Sequence, residues 1–218
     1  MQTTLELRWF VKGTPPAAVE KWFKSECPGE LFPETEFRED WYFYGNIENH
    51  HQFQLLGINL TKDEEFNLKL RHGINLELKL QQQKLGTYHF GNINSQAIWE
   101  GYVEEWCKWT EQDLDRQSML KSTSLITEND GISVRKERQQ RQIQDVKSEL
   151  TLITVEDSLW WSIAFETIKN GNNQQKNSDF SRAIGLLSQT YCGPKLSINN
   201  SFGYSRWLLQ FKKQLNKV

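Results

Sequence analysis

FNLKLRHGINLELKL, residues 66–80, sets Leu68, Leu70, Leu76, Leu78 and Leu80 against Lys69, Arg71, Glu77 and Lys79. Exchange of apolar and charged residues at every second position puts the leucines on one side of a strand and the charges on the other, which no helix does. His72-Gly73 lies between the two runs, so the stretch predicts a β-hairpin with glycine supplying a positive φ in the turn. A two-residue loop of His72 and Gly73 pairs Lys69 with Leu76 and mixes the faces. An odd loop pairs Arg71 with Asn75, Leu70 with Leu76 and Lys69 with Glu77, and that register keeps every leucine on the buried side.

Two arrangements fit such a hairpin. In one, a half-buried antiparallel sheet turns its charged side to water. In the other, the sheet closes on itself, with leucines outward under helices and charges lining an internal channel. The rest of the chain bears on the choice. LELRWFVKG (5–13) alternates in the same way and predicts a first strand, with Glu6, Arg8, Phe10 and Lys12 on one face. Thr14 precedes Pro15-Pro16 as an N-cap, and Val19, Trp22 and Phe23 share one side of a short helix. TEFREDWYFYG (35–45) predicts a strand, NIENHHQ a loop, LLGINLTKD a short strand, KLGTYHF a strand and GNINS a turn.

AIWEGYVEEWCKW (97–109) reads as a long strand or a helix, its aromatic and β-branched content favouring the strand, and EQDLDRQSMLK as a short helix. ISVRKERQQRQI and ELTLITVEDSLWWSIAFE add three strands, and KNGNNQQKNSD (169–179) a polar loop. FSRAIGLLSQTY, capped by Ser178 or Asp179, places Phe180, Ile184 and Leu187 on one helical face. SFGYSRWLLQFKKQL does the same for Phe202, Trp207, Leu208, Phe211 and Leu215. An outward leucine face needs covering, and several helices with one apolar stripe each supply the cover. The expected fold is therefore mainly β (α+β). A closed antiparallel tunnel of about eight strands has amphipathic helices packed outside it, in a single domain over 1–218 with C-terminal helices at 179–215.

Composition narrows the function. A net charge of −2 and a pI near 6.1 give no global field for nucleic acid or an acidic membrane, so any anion site is local. Cys27, Cys107 and Cys192 lack CxxC spacing and argue against a disulfide framework or a structural zinc site. With no signal-like or membrane-spanning run, the expected location is cytoplasmic. No Gly-rich phosphate loop, GxSxG or kinase-like set occurs. Adjacent His50 and His51 point to opposite faces of a strand and have no third ligand at useful spacing. The tryptophans of 99–109, with Trp160-Trp161 and Trp207, serve either as core or as platforms for an organic ligand or protein partner.

Taken in order, TLELRW, FNLKLRHG, LELKL, VRKER, ELTLITVEDSLWWSIAFE and NSFGYSRWL resemble the landmarks of the CYTH superfamily, the triphosphate tunnel metalloenzymes. The resemblance spans nearly the whole chain. It implies a tunnel whose basic side chains hold a small phosphorylated anion and whose carboxylates hold Mg²⁺ or Mn²⁺ for a metal-dependent triphosphatase. By position it assigns phosphate binding to Arg8, Lys69, Arg71, Lys79, Lys136 and Arg138. Metal binding falls to Glu6 and Glu166, with Glu77 and Glu149 as weaker candidates. The chain departs from the pattern twice. The family's first strand carries ExExK where this chain has Thr4-Leu5-Glu6-Leu7-Arg8, and its late ExE faces Ala164-Phe165-Glu166 here. Two absent carboxylates weaken metal affinity and activation of water more than anion binding. The expected function is anion binding with hydrolysis weak or lost. Two alternatives stand beside it: a non-catalytic barrel that binds through its tryptophans, and an active triphosphatase in which Glu100 or Glu104 completes the metal site.

Overall fold

The computed structural model describes residues 1–43, 66–71, 75–91, 99–110, 131–169 and 173–215. The described residues form nine strands, β1 (Gln2–Lys12), β2 (Glu30–Leu31), β3 (Glu36–Phe43), β4 (Phe66–Arg71), β5 (Asn75–Phe90), β6 (Trp99–Thr110), β7 (Ile132–Ile143), β8 (Val146–Val155) and β9 (Ser158–Ile168). The helices are α1 (Ala17–Lys21), continued by a wider turn at Trp22–Glu26, then α2 (Asn173–Gln189) and α3 (Tyr204–Leu215). Among the described residues no helix is long and apolar enough to cross a membrane.

All strand pairs are antiparallel, in one sheet of order β2-β7-β3-β4-β5-β6-β1-β9-β8, and β7 pairs with β8 as well as with β3. The hairpin has the expected odd-loop register, with Lys69 opposite Glu77, Leu70 opposite Leu76 and Arg71 opposite Asn75. The side chains of Leu68, Leu70, Arg71 and Leu76 lie outside the described part. Leu78 and Leu80 are buried.

The two faces of the sheet have separate fates. Leu5, Leu7 and Trp9 of β1, Trp99 and Val103 of β6, and Trp161, Ile163 and Phe165 of β9 form one core with Val19, Trp22 and Phe23 of the first helical segment and Phe180, Ile184 and Leu187 of α2. The alternate residues of the same strands face the other way and are largely polar. Apolar residues thus lie outward beneath α1 and α2, as the alternation demands.

Several expectations are corrected. α3 does not cover the outside: Trp207, Leu208 and Phe211 pack on Phe10, Val134, Ile153 and Val155, which share the inward faces of their strands with Arg8, Lys136 and Glu149. The helix therefore fills one end of the interior, where Phe10 and Trp207 stack at 4.5 Å. Gly203 opens that helix against β6, where a Cβ would come within 2.7 Å of the Trp106 ring. α2 begins at Asn173, six residues before the expected helix start at 179, inside the stretch expected to be a loop. Pro16, not Thr14, caps α1, and no side chain contributes a capping bond. The return strand of the hairpin and KLGTYHF form one strand, β5, bent by irregularities between Gln81 and Gln83 and between Lys84 and Gly86. The strand expected at 55–63, the helix at 111–121, the loop at 46–52, the turn at 91–95 beyond Gly91, and His50, His51 and His72 lie outside the described residues.

Candidate functional site

Strict alternation aims side chains from eight strands into one polar lumen. β1 supplies Glu6 and Arg8, β3 Arg38 and Tyr42, β4 Lys69, β5 Glu77 and Lys79, and β6 Trp106 and Lys108. β7 supplies Lys136 and Arg138, β8 Glu149, and β9 Glu166; Gly203 and Tyr204 close the far end. The cavity measures about 670 Å³, open water included. Of the six expected phosphate-binding residues, Arg8, Lys69, Lys79, Lys136 and Arg138 meet here, while the Arg71 side chain is not described. All four expected carboxylates line the same space. Glu100 and Glu104 are not among the lining residues: Glu100 pairs with Lys195, and Glu104 accepts from the Trp106 indole.

Each cation meets an internal carboxylate. Lys69 Nζ lies 2.5 Å from Glu77, whose other oxygen is 3.0 Å from Lys108. Lys79 donates to Glu6, which also accepts from the Thr4 hydroxyl. Arg8 reaches Glu149 at 3.3 Å, and Arg138 bonds the other oxygen of that carboxylate. Lys136 donates to Asp40 at 2.7 Å and to the Tyr42 hydroxyl at 2.5 Å, while Arg38 lies 3.1 Å from the same Asp40 oxygen. Lys136 also stands 4.0 Å over the Tyr204 ring, which stacks on Tyr42 at 5.0 Å. Cations over ring faces add attraction that costs no carboxylate.

The ionisations follow. Burial alone pushes Glu77 and Glu149 up, but Lys69, Lys79 and Lys108 around the first and Arg138, Arg8 and Arg38 around the second hold both far below the carboxylate range. Asp40 is likewise brought to about 2, burial being outweighed by Lys136, Lys69 and Arg38. Glu6 is lowered, Lys79 outweighing its burial. Burial raises Glu166, with Glu6 and Glu149 adding repulsion that Lys79 does not offset. The Lys136 ammonium is pulled below its usual value by burial, with Arg38 and Lys69 opposing the charge against Asp40.

The cation candidates divide. Glu6 and Glu166 stand opposite each other across β1 and β9, whereas Glu77 and Glu149 are each held between two basic groups. Among the described residues no three of His, Cys, Asp or Glu are placed to share a metal ion. Thr4 and Ala164, buried on the lumen side of β1 and β9, stand where further carboxylates would complete such a set. Among the described residues the side chains alone do not make a full Mg²⁺ or Mn²⁺ site.

The tryptophans are mostly core: Trp9, Trp22, Trp99, Trp106, Trp161 and Trp207 are each at most 1% exposed. Sequence reasoning missed Arg38, Tyr42, Lys108 and Tyr204. Arg38 and Tyr42 were legible as the every-second-residue partners of Asp40, and Lys108 as that of Trp106. Tyr204 carried no such signal, because it enters from a helix end.

No protein family's sequence model matches the chain, and no curated protein is similar to it in sequence. Solved structures are similar to it in fold. A protein of Pyrococcus horikoshii is 14% identical, with 96% of this chain and 99% of that one covered and a TM-score of 0.47. A candidate adenylate cyclase of Vibrio parahaemolyticus is 16% identical over 96% and 98%, with a TM-score of 0.46. The Pct1 RNA triphosphatase of S. pombe is 10% identical over 88% and 85%, with a TM-score of 0.39.

Proposed function

We propose that the sheet closes into a tunnel that binds a linear phosphorylated anion, such as a triphosphate, polyphosphate or organophosphate, and that phosphohydrolase activity in it is weak or lost. The observation that carries the reading is the convergence of Arg8, Arg38, Lys69, Lys79, Lys108, Lys136 and Arg138, from six strands, on one lumen. A triphosphate needs several basic groups converging on it, and guanidinium forks suit phosphate oxygens. Arg8, Arg38 and Arg138 hold the anion bidentately, and Lys69, Lys79, Lys108 and Lys136 neutralise it along its length. The loss of activity rests on Thr4 and Ala164: Glu6 and Glu166 alone do not fix a metal ion that activates water. The other reading, an organic ligand or protein bound through tryptophans, leaves six of the nine tryptophans in the interior.

Titration calorimetry with tripolyphosphate tests the reading. Lys108→Ala with Arg138→Ala is the informative variant, because Glu77 keeps Lys69 and Glu149 keeps Arg8, so no carboxylate is stranded. The native protein binds. The double variant loses affinity by roughly 100-fold or more, at about 1.5–3 kcal/mol for each charged hydrogen-bond donor removed. Equal affinity in the two proteins overturns the site.

A further inference from the structure

The inward residues of β3 form a series of falling exposure. The Glu36 side chain is 35% exposed, Arg38 6% and Asp40 0%. Tyr42 follows at the end of the lumen that α3 fills. Glu36 therefore stands at the opposite, open end. It is not idle there. Its Oε2 accepts from Arg138 Nε at 2.9 Å and from Nη2 of the same guanidinium, and its Oε1 lies 3.4 Å from Arg38 Nη1.

One carboxylate thus takes the Nε–Nη2 edge of Arg138, the edge on which a guanidinium engages a phosphate through two parallel N–H donors. The remaining terminal nitrogen of Arg138 is bonded to Glu149. An anion coming in from the open end meets Arg138 with all three guanidinium nitrogens engaged, and it must dislodge Glu36, which also lies against Arg38, to reach the paired edge of that guanidinium. Glu149, at 10% side-chain exposure, is fixed deeper between Arg8 and Arg138, so the half-exposed Glu36 is the group able to swing into water.

We infer that Glu36 is an anionic gate on the Arg38–Arg138 pair, a built-in competitor that sets the least charge an anion must carry to enter. This rests on the anion-binding reading above and adds selection to it. An orthophosphate gains too little from the mouth arginines to replace a bidentate carboxylate. A tripolyphosphate reaches the inner cations at the same time and does replace it.

The test is Glu36→Gln, with Glu36→Ala as a second variant that leaves no acceptor, each titrated with tripolyphosphate and orthophosphate beside the native protein; melting temperatures without ligand verify folding. Displacing a partly exposed charge pair predicts tripolyphosphate affinity about three- to tenfold tighter in both variants. Measurable orthophosphate binding appears in the variants alone. If Glu36 instead holds the arginines in place for the ligand, both variants bind tripolyphosphate equally or more weakly, and the gate is overturned. Failure of all three proteins to bind tripolyphosphate removes the anion site itself and the gate with it. Binding by the native protein without tightening in the variants removes the gate alone.

Discussion

At the scale of single residues, Asp40 decides most. Fully buried, it neutralises Lys136 and Arg38 together, and its pKa is brought to about 2 from an ordinary 3.8. A carboxyl whose folded pKa lies below its unfolded one stabilises the fold fully above the unfolded value, and that contribution is lost as pH falls through the folded one. Glu6, Glu77 and Glu149 shift in the same direction, from an ordinary 4.5. Melting temperature is therefore expected to hold above about pH 5 and to fall steeply between there and pH 2. Glu166, shifted the other way, favours folding at low pH and softens the acid limb slightly. Asp40→Asn is expected to cost about 3–5 kcal/mol at neutral pH, since it strands Lys136 with its charge unmatched, and to flatten the acid limb. Chemical denaturation across pH checks both. A melting curve insensitive to pH below 4, or a neutral-pH loss under about 1 kcal/mol, contradicts this account of the buried pair.

At the scale of the element, what alternation could reach was legible and what it could not reach was missed. Period 2 fixed the hairpin register and the inward placing of Lys69, Glu77 and Lys79, because a one-residue slip reverses every side chain. The same period could not reveal how far a strand runs, so β5 was divided where irregularities at Gln81–Gln83 and Lys84–Gly86 bend it. Nor could an apolar helical stripe say which surface receives it. Trp207, Leu208 and Phe211 read as cover for the outside, yet they meet Phe10 and Val134 inside. The start of α2 escaped because it begins on Asn173, a poor helix former whose preference the α2 core residues override. Strand facing does yield a prediction. With Thr4 and Ala164 on the lumen side of β1 and β9, Thr4→Glu with Ala164→Glu places four carboxylates in one patch with Glu6 and Glu166. Unpaired, those charges lower the melting temperature; Mn²⁺ restores it, EDTA removes the rescue, and slow metal-dependent triphosphatase activity appears. Brisk hydrolysis by the native chain, or a double variant indifferent to Mn²⁺, contradicts the argument.

At the scale of the whole molecule, the lumen is close to neutral. Seven basic groups line it, and Glu6, Glu77, Glu149 and Glu166 with Asp40 and Glu36 oppose them, so one positive charge remains among the described residues. That near-balance lets so many ionic groups be enclosed without a ligand, since among the described residues each of them but Glu166 has an oppositely charged partner within bonding distance. It also makes the interior an exchanger. A tripolyphosphate with about four negative charges overshoots the surplus, and the excess cannot stay uncompensated in a medium of low dielectric. If the anion binds as proposed, protons are expected to enter with it, and Glu166, whose pKa burial and the neighbouring Glu6 and Glu149 raise, is the lumen carboxylate expected to take one up. The binding heat should then differ between buffers of unequal ionisation enthalpy, in proportion to the protons drawn from them, and affinity should rise as the solution is acidified toward pH 5. Heats identical in every buffer would mean that the molecule accepts its ligand without drawing on the solution around it, as a lumen with a large positive surplus would.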